Sequence, residues 1–141
     1  MRKNKLLIIG PIPSNHGIGG VTIHVQRLLD CLDNQGIKYD FVDYGNISVI
    51  KLFKEILFSQ VIHVHVSNPV YLFTIAFCGR IFGKKLIVTL HGNYGRFSSF
   101  KNFLVRRTLT MANIAIVINK KSFEACKRFN KHTLLISAFI R

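Results

Sequence analysis

Acidic residues are scarce in this chain of 141 residues. It has no tryptophan, three cysteines, and six aspartates and glutamates against 20 lysines and arginines. Residues 71–141 contain a single acid, Glu124, together with 13 lysines and arginines. A positive field of this size attracts anions, among them nucleic acids, anionic lipid headgroups and phosphorylated small molecules. Charge alone does not choose among these partners, but no sequence signature of a nucleic-acid-binding domain accompanies it, so none is expected.

The few cysteines and the short apolar runs exclude further classes of protein. Cys31, Cys78 and Cys126 form no C-x-x-C pair, so neither a disulfide framework nor a zinc knuckle is indicated. The apolar stretch from Ser67 to Gly79 is shorter than the roughly 20 residues that a membrane-spanning helix needs. We therefore expect a cytoplasmic protein, with peripheral contact at the inner face of a membrane left open.

Short apolar runs alternate with helix-length segments along the whole chain, and no linker interrupts them. This alternation predicts a single α/β domain over residues 1–141, built as a three-layer, Rossmann-like, doubly wound parallel sheet of about six strands. The predicted strands are 5–10, 39–44, 61–66, 85–90, 114–118 and 133–137. The predicted helices are 20–35, 48–59, 69–83, 98–112 and 120–130.

The loop after the first predicted strand, from Gly10 to Gly20, is rich in glycine and leads directly into a helix. Doubly wound sheets bind ligands at the carboxyl ends of their strands. The unpaired amides and the positive dipole end of the following helix favour an anion there. We therefore predict phosphate binding at Gly19 and Gly20, with glycines that serve only the geometry of the turn as the alternative.

Two histidines of the third predicted strand alternate with valines, so both lie on one face of the sheet. His65 is at the carboxyl end of that strand and is predicted to bind substrate, whereas His63 is predicted to be an interior residue. No cysteine, aspartate or glutamate is close to them in sequence, so no metal site is predicted.

A third histidine, His91, ends the next predicted strand. An imidazole at a strand end, beside a glycine, can approach a sugar or phosphate and share a proton near neutral pH. We predict that His91 is catalytic and that Gly92, Asn93 and Tyr94 bind substrate. A structural role for this histidine is the alternative.

Two further patterns leave alternatives open. The helix predicted at 98–112 carries Lys101, Arg106 and Arg107 among phenylalanines and no acid, which suits a membrane interface or a solvated surface equally well. Asp43 ends the second predicted strand, where an acid can bind the ribose of a nicotinamide cofactor. The glycine loop lacks the dinucleotide fingerprint, however, because a third glycine or alanine is missing at Thr22.

Taken in chain order, these segments resemble the N-terminal domain of the family 4 retaining glycosyltransferases, which have the two-domain GT-B fold. The residues that carry the resemblance are Gly19-Gly20-Val21 with His24-Val25, Val61-Ile62-His63-Val64-His65, Val88-Thr89-Leu90-His91-Gly92, and Ala112-Asn113-Ile114-Ala115-Ile116-Val117-Ile118.

The resemblance implies a function. By position, Gly19 and Gly20 would lie against the donor phosphate and the acceptor, and His91 would face the transferred sugar. The family holds its nucleotide sugar mainly in a second domain, which is absent here, so we expect a hexosyltransferase part that is inactive alone or is one subunit of a split enzyme. Its acceptor would be a saccharide or a lipid-linked sugar of bacterial polysaccharide or glycolipid synthesis, with no cofactor or metal. The alternative is a non-enzymatic module that binds an anionic membrane or a partner subunit.

Overall fold

The computed structural model describes residues 6–11, 20–92 and 94–136. Over these residues, six parallel strands alternate with five helices. The strands are β1 (Leu6–Ile9), β2 (Asp40–Val42), β3 (Val61–Val64), β4 (Lys85–Leu90), β5 (Ile114–Val117) and β6 (Thr133–Leu135). The helices are α1 (Gly20–Asn34), α2 (Val49–Phe58), α3 (Pro69–Ile81), α4 (Ser99–Met111) and α5 (Lys120–Cys126). The predicted α/β fold is confirmed, and every element begins within one residue of its predicted start.

The strands lie in the order β2-β1-β3-β4-β5-β6. The chain steps from β1 to β2 in one direction and from β2 across β1 to β3 in the other. With right-handed crossovers, this reversal places α1 on one face of the sheet and the later helices on the opposite face. The point of reversal, between β1 and β3, is where open parallel sheets bind ligands.

The larger core lies between the sheet and helices α2 and α3, and a second cluster lies beneath α4 and α5. Alternate strand residues such as Ile62 and Val88 point into it and meet Leu52 of α2 and Leu72 of α3. On the other face, α1 packs Val25 against β1. β1 is therefore covered on both faces.

Capping residues fix where the helices begin and end. Asn68 accepts hydrogen bonds at Oδ1 from the amides of Val70 and Tyr71, which starts α3. Gly36, with φ 69°, follows α1 and ends it, close to the predicted end at residue 35. The mainly apolar α3 is buried along its inner flank only, because Phe77 and other apolar side chains of its outer flank remain exposed. None of the helices in the described part of the chain has the length and apolarity needed to cross a membrane.

Candidate functional site

Three strand ends meet at the carboxyl edge of the sheet. Gly10 follows β1, His65 follows β3 and His91 follows β4. The amide of His65 donates to the carbonyl oxygen of Ile9, so the backbone beyond β3 stays paired with β1. The two histidines and the first glycine of the loop therefore lie beside the point where the strand order reverses.

Helix α1 brings a further histidine to this edge. His24 lies in the first turns of α1, and its ring centroid is 5.1 Å from that of His91 and 5.7 Å from that of His65. Gly20 is the first residue of the same helix and is exposed. The start of α1 and the imidazole of His91 thus lie at one rim of the sheet.

We call His24, His63, His65 and His91 the histidine cluster. Nδ1 of His65 and Nε2 of His91 are joined by a hydrogen bond of 3.3 Å. The ring of His63 lies 4.0 Å from that of His65, and its Nε2 bonds to Oγ1 of Thr89 at 2.8 Å. His65 is fully buried, and its Nε2 has no hydrogen-bond partner among the described residues.

Burial lowers the pKa of every imidazole in the histidine cluster. The pKa of His63 and that of His91 are lowered to about 4, mainly by burial and then by the nearby His24. The positive charge of Arg96 adds to the effect on the pKa of His91. Burial also lowers the pKa of His24 and holds that of His65 well below its usual value. The four rings are therefore neutral near pH 7, and each offers one N–H donor and one lone pair.

Neutral imidazoles are also the form that binds metals, yet this cluster is not arranged as a metal centre. Across residues 6–11, 20–92 and 94–136, no group of three or more histidines, cysteines or acids is placed to hold a metal ion. Two of the ring nitrogens bond instead to each other and one to Thr89. The arrangement suits hydrogen bonding to a polar ligand rather than coordination.

The loop after β4 adds a cation to the rim. Gly92 has φ 87°, and a Cβ atom there would lie 3.1 Å from the guanidinium of Arg96. Both its backbone conformation and the packed guanidinium therefore call for glycine at this position. The carbonyl oxygen of Gly92 accepts a bond from Nδ2 of Asn119, which ties the loop to the start of α5. Arg96 therefore lies beside the residue that follows His91.

The structure does not bring all the predicted site residues together. Tyr94 turns away from the histidine cluster, because its ring packs 5.9 Å from that of Phe129 in the core beneath α4 and α5. Its amide donates to Oγ of Ser122. Gly19 and Asn93, both predicted to bind substrate, lie outside the described residues.

The basic residues of α4 do not form one patch. Lys101, Arg106 and Arg107 are all exposed, but the guanidinium of Arg106 lies over Phe129, whereas that of Arg107 lies over Phe103. Arg107 lines a groove of about 270 Å³ between α3 and α4, formed with Phe73, Phe77, Phe103, Thr110 and Met111. Consecutive residues of a helix point about 100° apart, which places these two arginines on opposite flanks.

Neither the protein-family models nor the curated proteins contain a match to this chain. The fold is therefore assigned from the structure alone, and the resemblance to glycosyltransferases remains a prediction.

Sequence reasoning did not select His24, Arg96 or Gly10 as site residues. His24 belongs to the rim because α1 packs on β1 and β2 and brings this ring beside those of His65 and His91, a tertiary relation that no local pattern shows. No pattern in the sequence separates Arg96 from the other lysines and arginines of the chain. Gly10 has a signal in the sequence, since a glycine directly after a buried strand often marks a close approach of two segments.

Proposed function

We propose that this chain is the acceptor-side domain of a retaining glycosyltransferase. It would help to move a hexose from a nucleotide sugar to a saccharide or lipid-linked acceptor. The observation that carries the proposal is the convergence of the start of α1, the buried neutral imidazole of His91 and the guanidinium of Arg96 at one rim of the sheet. A sugar phosphate presents a matching pair of groups, an anion and a set of hydroxyls.

Each feature of the rim has a role in this proposal. The first amides of α1 and the positive end of its dipole stabilise a phosphate, and Arg96 adds a charge-assisted partner. His91 hydrogen-bonds to a hydroxyl or phosphate oxygen of the donor. Since it is neutral, its ring can serve an uncharged hydroxyl without the cost of burying a charge.

The electrostatics of the cluster also fit a retaining reaction. No carboxylate contributes to the pKa shifts of His63, His65 or His91. A carboxylate base is therefore not evident among the described residues of this rim. In the proposed reaction the leaving phosphate of the donor accepts the proton of the acceptor hydroxyl. The nucleotide would be held by a second domain, so this chain alone would have no transferase activity.

The nicotinamide alternative loses support from the position of Asp43. Its Oδ1 accepts a hydrogen bond from the amide of Gly45, and its Oδ2 accepts one from Nδ2 of Asn46. The carboxylate thus stabilises the turn after β2. A ribose at this edge would have to compete with those two bonds.

Calorimetric titration tests the proposal against its rivals. The titrants are α-glucose 1-phosphate, UDP-glucose and NAD⁺, each at millimolar concentration. We expect both sugar phosphates to bind, and H91A to weaken that binding by about tenfold, the loss of one buried hydrogen bond. H132A is the matched control, because His132 is exposed and outside the cluster. Binding of NAD⁺ alone, or of none of the three, would contradict the proposal.

The apolar surface of α3 and α4 favours a second candidate function, a module that docks on an anionic membrane. Phe100 and Phe103 of α4 are 65% and 47% exposed, and Phe77 of α3 is 48% exposed. Arg107 lies over Phe103 at the same groove. Exposed aromatic rings beside a cation suit the headgroup region of a bilayer.

A further inference from the structure

We infer that His65 is a positioning residue, which holds the ring of His91 in the tautomer with its proton on Nδ1, so that His91 meets its ligand as a hydrogen-bond donor. The inference rests on the proposed function only for the identity of that ligand, an oxygen atom of a sugar or of its phosphate. It is carried by two observations, the bond between the two rings and the buried Nε2 of His65 that has no partner.

The ring-to-ring bond limits which atom of His91 can face a ligand. Nε2 of His91 is bonded to Nδ1 of His65. A ligand at the rim can therefore reach only Nδ1 of His91 without breaking that bond. His65 cannot turn away, because it is fully buried and the ring of His63 lies 4.0 Å from its own.

The proton of this bond can belong to either ring. Both rings are neutral, because burial lowers the pKa of each, so each carries one N–H. If His91 donates, the proton of His65 must be on Nε2. Nδ1 of His91 then has only a lone pair and can accept a hydrogen bond from the ligand. If His65 donates, Nε2 of His65 keeps only a lone pair, and the proton of His91 is on Nδ1.

Nε2 of His65, which is buried and has no hydrogen-bond partner among the described residues, decides which of the two rings donates. Orphaned buried N–H groups are rarer in native proteins than acceptors with an unused lone pair. We therefore assign the proton of His65 to Nδ1, which donates to Nε2 of His91. His91 then carries its proton on Nδ1 and needs an oxygen acceptor, as hydroxyl and phosphate oxygens are.

Among the described residues, the groups that act on the pKa of the two rings are imidazoles and one guanidinium. His24 and Arg96 are the other groups that act on the pKa of His91, and His63 and His24 act on that of His65. None of these groups is a carboxylate. No described carboxylate therefore competes with an oxygen of the ligand for the proton on Nδ1 of His91.

Long-range ¹H–¹⁵N correlation spectra of the ¹⁵N-labelled chain test the inference directly, since they distinguish the two neutral tautomers of each histidine. Signals are assigned by replacing one histidine at a time. At neutral pH and without ligand, we expect His65 and His91 both to carry the proton on Nδ1. A proton on Nε2 of His91 would overturn the inference, and the tautomers themselves are measured on the wild type.

Two variants test the positioning role itself. H65N can place its amide nitrogen where Nδ1 of His65 lies and so preserve the donor, whereas H65L fills a similar volume without one. We expect the H65N variant to keep His91 in the Nδ1 tautomer and to bind α-glucose 1-phosphate as tightly as the wild type does. H65L should lose the preference and weaken that affinity by about tenfold.

The outcomes separate this inference from the proposed function. If α-glucose 1-phosphate binds equally well to the wild type and to a folded H65L, the positioning role is wrong and the proposed function survives. If the wild type shows the Nδ1 tautomer but binds no sugar phosphate, the proposed function fails while the tautomer assignment stands.

Discussion

A Cβ atom on Gly10 would lie 3.1 Å from Cβ of His65 and 3.2 Å from Cγ2 of Val25. The residue that follows β1 is therefore packed tightly between α1 and the buried His65. Its amide donates to the carbonyl oxygen of Val42, which ties the same point to β2. The absence of a side chain at Gly10 is what lets α1 and His65 approach one another.

Replacing Gly10 by alanine should destabilise the protein by about 1–3 kcal/mol, the usual cost of overpacking a well-packed core. The free energy of unfolding in urea measures it. Gly20 provides the control, because nothing lies within 4 Å of the Cβ position there. G20A should leave the stability unchanged or raise it by up to about 1 kcal/mol, since alanine favours a helix. Equal stability of G10A and the wild type would contradict the close approach.

Acid should destabilise the fold through the histidine cluster. The pKa of His63 and that of His91 lie near 4 in the folded chain, below the ordinary value of 6.5. Between these values the unfolded chain binds more protons, so stability is present above about pH 6.5 and is lost as the pH falls towards 4. Each such histidine contributes a slope of up to about 1.4 kcal/mol per pH unit.

Urea unfolding at a series of pH values from neutral to mildly acidic measures this slope. H91N removes one titrating ring while keeping a polar side chain, and should make the slope shallower. A stability that does not change across this range in the wild type would contradict a buried, neutral cluster.

Replacing Arg96 by glutamine should change two properties together. The positive charge of Arg96 helps to lower the pKa of His91, so its removal should raise that pKa. The same loss should weaken binding of α-glucose 1-phosphate by about tenfold, if the guanidinium pairs with the phosphate. A proton NMR titration of the His91 ring and calorimetry check the two effects. K101Q serves as a control for the loss of one exposed cation, and an equal effect of both variants would assign the change to net charge.

The membrane alternative predicts salt-sensitive binding to anionic vesicles. Sedimentation with vesicles of phosphatidylcholine and phosphatidylserine should carry the wild type down at low salt and less of it at high salt. F103S and R107Q change the exposed surface at the α3 and α4 groove and should each reduce the bound fraction. Loss of binding only with R106Q, on the other flank of α4, would place the contact elsewhere, and no binding at low salt would remove the alternative.

The fold was predictable because each element has a local signal. The β-branched runs that form β3, β4 and β5 are buried strands, and the period of α1 and its terminal Gly36 mark a helix and its end. The predicted end of α5 was less accurate. The helix ends at Cys126 and the chain continues in a turn, in which the carbonyl oxygen of Cys126 accepts bonds from the amides of Phe129 and Asn130.

The site was predictable only in part, because side-chain direction depends on tertiary packing. His65 and His91 were expected at neighbouring strand ends, and the parallel register brings them together. The approach of His24 depends on how α1 crosses the sheet. Tyr94 lies in the loop after β4, where a binding residue is expected. Its ring instead packs in the apolar cluster beneath α4 and does not face the rim.

The most direct test of the central claim is to follow the ring signals of His91 during a titration with UDP-glucose. We expect the signals of His91 and His65 to shift together and saturate, while those of the exposed His132 stay unchanged. If UDP-glucose binds and only residues remote from this rim respond, or if His132 shifts as much as His91, the rim between α1 and β4 is not the sugar phosphate site.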